Sequence, residues 1–380
     1  MKNQSAQNLI VLSTYKVSLT NWEKSGLLDR EVGYYILMEK LYKIKLSIVT
    51  YDKNDKRFTN TFKNIKILYR KKINNFLFSL FAPLVYYKSF KKSDIIKSNQ
   101  SKGAWMGLIA KILFRGKKLI VRCGWVRTKE MMQKVELKSG FKLLIEIFLD
   151  KISFKYSDAI IVTTELDKNY IINNHNIHEK KIYVIPNSVD INLFKKTEKK
   201  PFGNKLKVIS IGRFVNSKNF ESLITACGES RYVKELILIG NGPNKNIYNK
   251  IAKTNKTKIT FISNVNNDSI PNHLNKADLF IMPQKYASGM SKVIMEAMAM
   301  GILTIASDIP AHLHSIDDGV DGFICGGSSE SIKNCIKKVF TMNYEERLII
   351  QNNASEKIIN HFSFEKSIEK EFYLYNSLLK

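Results

Sequence analysis

The sequence predicts an α/β protein made of two consecutive doubly wound, Rossmann-like domains. Three observations lead there. Short runs rich in Val, Ile and Leu alternate with helical patterns along the 380 residues, as parallel strands joined by crossover helices do. The rhythm breaks once, after Val184, where Pro186, Pro201 and a cluster of charges interrupt it up to Lys205. It then restarts in the same form, and a chain of this length exceeds what one core ordinarily organises.

In the first half the strand-like runs are NLIVLST, KLSIVTYD, IKILY, DIIKSN, KLIVRC, AIIVTT and IYVIP. Between them lie helical patterns such as LLDREVGYYILMEKLY and SGFKLLIEIFLDKISFKYS. In the second half LKVISIG, ELILIG, KITFIS, ADLFIMP, ILTIAS and FICG are each followed by a helix candidate. The boundaries expected are a first domain at 1–187, a linker at 188–205, a second domain at 206–360 and a terminal helix at 361–380.

With 44% hydrophobic and 25% charged residues the composition is globular, which argues against disorder. Cys123, Cys227, Cys325 and Cys335 are scattered without a CxxC, so no disulfide framework or zinc site is indicated, and a reducing cytoplasmic compartment is expected. The N-terminus lacks a secretory leader pattern, and no run reaches the roughly 18 uncharged apolar residues of a spanning helix. The net charge of +27 is uneven: Lys and Arg exceed Asp and Glu by 18 within residues 41–130. Such a field attracts phospholipid surfaces, nucleic acid or phosphorylated substrates; a lysine-rich composition serving solubility is the alternative.

Open α/β sheets bind ligands at the carboxyl ends of their strands. Three strand ends in the second half are unusual. After LKVISIG, Gly212 permits a tight turn, and Arg213 and Lys218 place two cations on one loop that leads into a helix, which suits a diphosphate. After ELILIG, Gly240, Asn241 and Gly242 precede Pro243; they suit either close approach to a ligand or a plain turn. After ADLFIMP comes YASGMSKVIMEAMAMG. Ser288, Gly289, Met290 and Ser291 form a loop whose backbone N–H groups can face a ligand, with Ser291 as helix cap. The helix that follows is apolar on nearly every face yet contains Glu296. A capping-box acid would fall at Ile294, so Glu296 needs another partner, and a ligand diol such as a ribose supplies two donors.

In order and spacing, GRFVNSKN, LILIGNGP and SGMSKVIMEAMAMGILTIASDIP closely resemble the nucleotide-sugar domain of retaining glycosyltransferases of family 4, with the GT-B fold. VIPNSVDINLF, DDGVDGFIC and FSFEKSIEKEFYLYNSLL agree with it, so the resemblance covers about residues 180–380; the first half matches by architecture and by GLLDRE from Gly26. It implies two domains facing across a cleft, a terminal helix crossing back to the first, and sugar transfer from a nucleotide-diphosphate sugar to a glycan or lipid-linked acceptor with retention. Arg213 and Lys218 would stabilise the leaving diphosphate, Glu296 would take the ribose hydroxyls, and the backbone from Gly289 to Ser291 would hold phosphate and sugar. Gly26, Gly212 and Gly240 to Gly242 would border the donor. No metal or cofactor is implied, since the two cations replace it and there is no DxD signature. One position departs: the family has a glutamate eight residues before Glu296, where this chain has Ser288, which leaves the donor sugar open. A donor-binding but inactive homologue is therefore an alternative, and a basic nucleic-acid-binding protein a second, though no nucleic-acid-binding signature is visible.

All six histidines lie at or beyond residue 175, so the catalytic histidine found in the first domain of many relatives is absent, and His312 and His314 read as packing. At the end of KLIVRC, Arg122, Gly124 and Trp125 suit phosphate binding and sugar stacking, or a capped strand end with a packed Trp. Trp22 and Glu23 are candidates for acceptor contact. INNFLFSLFAPLVYY is flanked by Arg70, Lys71 and Lys72 on one side and Lys88, Lys91 and Lys92 on the other. It suits contact with an anionic membrane, or a buried helix with basic ends kinked at Pro83.

Overall fold

The computed structural model describes residues 7–124, 126, 140–198, 201–263, 265–286 and 291–380. Among the described residues there are two parallel sheets, in two units: residues 1–186 with 367–380, and residues 187–366. Each is an α/β unit of the doubly wound kind.

The first unit contains β1 (Asn8–Leu12), β2 (Lys45–Thr50), β3 (Ile65–Tyr69), β4 (Ile95–Ser98), β5 (Lys118–Cys123), β6 (Ala159–Val162) and β7 (Ile182–Val184). Its strand order is β3-β2-β1-β4-β5-β6-β7, and every pairing is parallel. The strands are nearly continuous runs of buried apolar residues, as they must be when helices cover both faces. Among the described residues up to 186, the helices of eight or more residues are α1 (Leu28–Tyr42), α2 (Asn75–Val85), α3 (Trp105–Leu113), α4 (Gly140–Tyr156) and α5 (Glu165–His175). The order reverses between β1 and β4, which makes their carboxyl ends the switch point where such sheets take ligands. There the backbone N–H of Tyr15 donates to Lys102 O at 3.0 Å, and Gly103, at φ +105, brings its chain against the Tyr15 backbone.

The loop after β1 is fixed by one carboxylate. Asp55, fully buried, accepts from Leu19 N (2.9 Å), Thr20 N (3.0 Å), Thr20 Oγ1 (2.6 Å) and Thr50 Oγ1 (2.5 Å) at the start of the short helix Leu19–Lys24. It takes up N–H groups that the helix itself leaves unpaired.

The second unit contains β8 (Leu206–Ile211), β9 (Val233–Ile239), β10 (Lys258–Ile262), β11 (Leu279–Met282), β12 (Leu303–Ser307) and β13 (Phe323–Cys325). They are ordered β10-β9-β8-β11-β12-β13, again parallel throughout, with the switch point between β8 and β11. Its longer helices are α6 (Phe220–Glu229), α7 (Lys245–Lys253), α8 (Lys292–Ala299), α9 (Ser329–Thr341) and α10 (Tyr344–His361). The stretch read as a linker is partly packed: Val189 and Phe194 enter this unit's core, and Val189 exchanges backbone hydrogen bonds with Phe362 and Phe364.

The last helix, α11 (Phe364–Leu379), is joined to the first unit by a buried ion pair. Lys97, on the central strand β4, donates from Nζ to Glu371 Oε2 at 2.5 Å, and Tyr375 OH donates to the same oxygen at 2.5 Å. The ammonium also lies 5.3 Å from the Tyr35 ring centre and 5.7 Å from that of Tyr34. Burial alone would raise the Glu371 carboxyl, but the neighbouring ammonium and the two hydrogen bonds outweigh it and hold the group below its ordinary value. Burial likewise pulls Lys97 down, against the pull of Glu371. Glu371→Gln strands the ammonium in a dry site and should destabilise the protein by about 3–5 kcal/mol. The double substitution Lys97→Met with Glu371→Leu should be much less harmful. Urea unfolding of both variants measures this; equal losses would show that the pair does not act as a unit.

Candidate active site

At the carboxyl edge of the second sheet two loops lie backbone to backbone. After β8, Gly212 N–H donates to Ile239 O at 2.9 Å and Phe214 N–H to Asn241 O at 2.9 Å, while Asn244 N–H, from the loop after β9, donates to Phe214 O at 3.0 Å. A Cβ on Gly240, at φ +149, would stand 1.9 Å from Gly212 O, and one on Gly242 would stand 2.5 Å from Phe214 O. The close approach that these glycines permit is therefore to the neighbouring loop. Gly212 has its own reason: its open α-carbon accommodates the Lys218 stem, whose Cε would lie 3.3 Å from an added Cβ.

Lys218, partly buried, donates from Nζ to Gln284 Oε1 at 3.1 Å, which ties the loop after β8 to the loop after β11 across the switch point. Gln284 Nε2 donates to Tyr286 O at 2.8 Å, and Lys285 N–H donates to Ser217 O at 2.9 Å. Asn219, in the left-handed conformation at φ 55, donates to Gly327 O beyond β13 at 2.8 Å. Arg213 is on the same loop as Lys218, and its side chain is exposed to solvent.

The loop from β11 leads to Ser291 and α8. Ser291 occupies the cap position, but its side chain makes no capping hydrogen bond, contrary to the expectation from sequence. Its short side chain does not reach the first-turn N–H groups at ψ 112. Glu296, five residues into the helix, is 3% exposed, so the acid is enclosed as the sequence pattern required. Ser288, Gly289 and Met290 lie outside the described residues.

In the first unit, Gly26 adopts φ 68 and ends the helix Leu19–Lys24, with Gly26 N–H donating to Glu23 O and Leu27 N–H to Trp22 O. Helix α1 then begins at Leu28 without a side-chain cap. Trp22 is buried, and Glu23, exposed, pairs with Arg57. Arg122 folds over Gly124, where a Cβ would lie 2.5 Å from its Nη1, and its charge acts on buried Glu371. Trp125 lies outside the described residues.

The model of glycosyl transferases group 1 matches residues 192–357, and that of glycosyltransferase family 4 matches residues 43–193. The chain is a group 1 glycosyltransferase. Its sheets and helices are those of the GT-B fold. A galactosyltransferase of Escherichia coli, named for transfer from UDP-Gal to α-D-GlcNAc-diphosphoundecaprenol, is 28% identical over 76% of this chain and 77% of its own. A capsular polysaccharide biosynthesis glycosyltransferase of Staphylococcus aureus is 25% identical over 78% and 80%. The solved structure of the Anabaena protein HepE with UDP superposes at a TM-score of 0.76, with 18% identity over 98% of this chain and all of that one.

In this glycosyltransferase a supporting row stands behind Lys218. His312, fully buried, points Nδ1 at Ser307 O (3.0 Å), so Nδ1–H donates there. Its Nε2 has no hydrogen-bond partner among the described residues. Ser307 Oγ in turn donates to Gln284 O. Burial pushes the imidazole down to about 4, the Ser307 carbonyl opposing and the Lys218 charge adding to the fall, so the ring is neutral near pH 7. Burial also pushes the Lys218 ammonium down to about 8. Nothing in SDIPAHLHS marks His312 apart from packing, because its partner is a backbone carbonyl. The glycosyltransferase thus holds a cation that has lost part of its hydration, which a neighbouring anion would stabilise. Labelling of Lys218 by an amine-acylating reagent should show a midpoint near pH 8, well below the roughly 10.4 of exposed lysines. Added inorganic diphosphate should move that midpoint upward. A midpoint at the ordinary lysine value would contradict the desolvated site.

Proposed function

We propose that the chain transfers a hexosyl group from a nucleotide-diphosphate sugar to a lipid-linked glycan, with retention, in surface-polysaccharide assembly at the cytoplasmic face of the membrane. No metal or cofactor takes part in this reading. The observation that carries it is the edge of the second sheet, where Arg213 and desolvated Lys218 share one loop. Lys218 is bonded across the switch point to the loop that leads to the helix of enclosed Glu296. The UDP bound by the Anabaena neighbour and the diphosphoundecaprenol acceptor in the name of the Escherichia coli relative support a nucleotide donor and a lipid carrier.

In this reaction the bond from the anomeric carbon to the diphosphate oxygen breaks through an oxocarbenium-like state. Arg213 and Lys218 take up the charge that grows on the departing diphosphate. The acceptor hydroxyl attacks from the same face and its proton passes to that diphosphate oxygen. Glu296 holds the ribose hydroxyls. Arg122 and Gly124 border the acceptor or a phosphate, and Gly26 borders the donor sugar.

Membrane contact rests on α2. Phe76, Phe81 and Leu84 are exposed, and exposed Lys71, Lys72, Lys88, Lys91 and Lys92 flank the helix. No helix among the described residues is long and apolar enough to cross a membrane. The Ser288 substitution favours a second reading, a donor-binding scaffold without turnover; activity that appears only in Ser288→Glu would establish it.

A thermal-shift panel of nucleotide sugars tests the donor, since a ligand at 100 times its Kd adds about 2.7 kcal/mol. If no nucleotide sugar raises the melting temperature, the reading fails. With the donor known, Arg213→Ala and Lys218→Ala should each lower kcat about 10²-fold. Glu296→Gln should chiefly raise KM for the donor; an unchanged KM removes its ribose role.

A further inference from the structure

The first sheet has its own switch point, and the loops that leave β1 and β4 there border the mouth of a groove of about 480 Å³. Tyr15 stands at the mouth, its ring 5.1 Å from that of Trp105 and 5.6 Å from that of Tyr51. Three helices wall the groove, and each follows a strand of the parallel sheet, so all three run away from the carboxyl edge in the same sense. The lining residues step along them by one turn: Phe76 and Leu80 on α2, Trp105 and Ile109 on α3, Ile145 and Leu149 on α4. The groove's walls are mostly apolar, with Glu146 and Asp150 as the acids among them. Its polar residues include Ser101 and Lys102, just past β4, with Lys102 paired to Glu146 at 3.4 Å.

Beyond the groove the same helices stay apolar on their outer faces. Phe81 and Leu84 of α2, Ile112 and Leu113 of α3 and Phe148 of α4 are all exposed, Ile112 at 79%. Exposed apolar area of this extent marks an interaction surface. Cations on both flanks of α2 match a phosphate-bearing surface. A slot of this volume is of the size that takes a small ligand. Its mostly apolar lining, its place beside a ligand-binding strand edge and the apolar exterior of the same helices fit a hydrocarbon.

We propose that this groove holds the first units of the hydrocarbon chain of a lipid phosphate, with the phosphate end at the β1–β4 switch point and the rest of the chain leaving over the exposed helical face. This rests on the lipid-linked acceptor proposed above and adds the place where the carrier is recognised. It makes the carrier's tail, as well as its glycan, a determinant of acceptor choice.

The test uses the full chain and a benzophenone-bearing farnesyl phosphate, which contains no sugar and needs no turnover. Photolysis should label peptides within residues 76–84, 102–113 and 144–150. Leu80→Glu and Ile109→Glu put a charge into the slot and should lower that labelling roughly tenfold or more. Ile112→Glu, on the outer face, should leave it unchanged. The melting-temperature shift given by nucleotide sugar confirms that each variant is folded. Label elsewhere on wild-type protein, or groove variants labelled as strongly as wild type, overturns the proposal. So does a concentration-dependent dimer that buries this face and is broken by Ile112→Glu, which would make the surface a contact between copies. Acceptor assays keep the two ideas apart: groove labelling together with equal turnover of lipid-linked and free glycan would fail the acceptor reading and the tail's part in acceptor choice, and leave the groove standing as a lipid-phosphate site.

Discussion

Everything at the second unit's working edge depends on two loops that share one space. Parallel strands deliver successive loops to the same edge, and here those after β8 and β9 are bonded backbone to backbone. A single methyl at Gly240 would meet the Gly212 carbonyl at 1.9 Å. Because the loops brace one another, the Gly212–Asn219 segment has a fixed path and Lys218 a fixed anchor on Gln284. The row from Gln284 through Ser307 to His312 extends this bracing inward. A cation set on such a frame need not be reorganised when charge develops beside it, which is where electrostatic catalysis gains most.

The first unit solves the same problem with other residues. Gly103 lets the loop after β4 pass close to Tyr15, and Asp55 gathers the N–H groups after β1. Both sheets thus reach a switch point with rigid rims. One rim carries Arg213 and Lys218 on its first loop, and the other borders an apolar slot.

Much of the architecture was legible because parallel strands covered on both faces read as short apolar runs, and all thirteen runs named from sequence are strands. Glu296 was legible for the same reason: one acid in an apolar helix has few explanations. The partners of these residues were not legible. Gly240 and Gly242 suited either a ligand or a plain turn, since sequence cannot say which backbone approaches a glycine; here the loop after β8 does. Ser291 looked like a cap because propensity does not report the ψ at which the chain enters α8. Lys97 sits in an ordinary strand run, and its counter-ion comes 274 residues later. The groove between α2, α3 and α4 was hidden because each helix alone is merely apolar.

The tie between Lys97 and Glu371 bears on how the protein is made. The central strand of the first unit carries a buried charge whose counter-ion belongs to the last helix. Until residue 371 has left the ribosome, the unit begun first holds an ammonium with no carboxylate to meet it. Co-translational folding ordinarily completes domains in the order of their synthesis. Here the unit begun first waits until the second has been made, and a chain cut short before Glu371 would release a protein whose defect lies in the part that was made first.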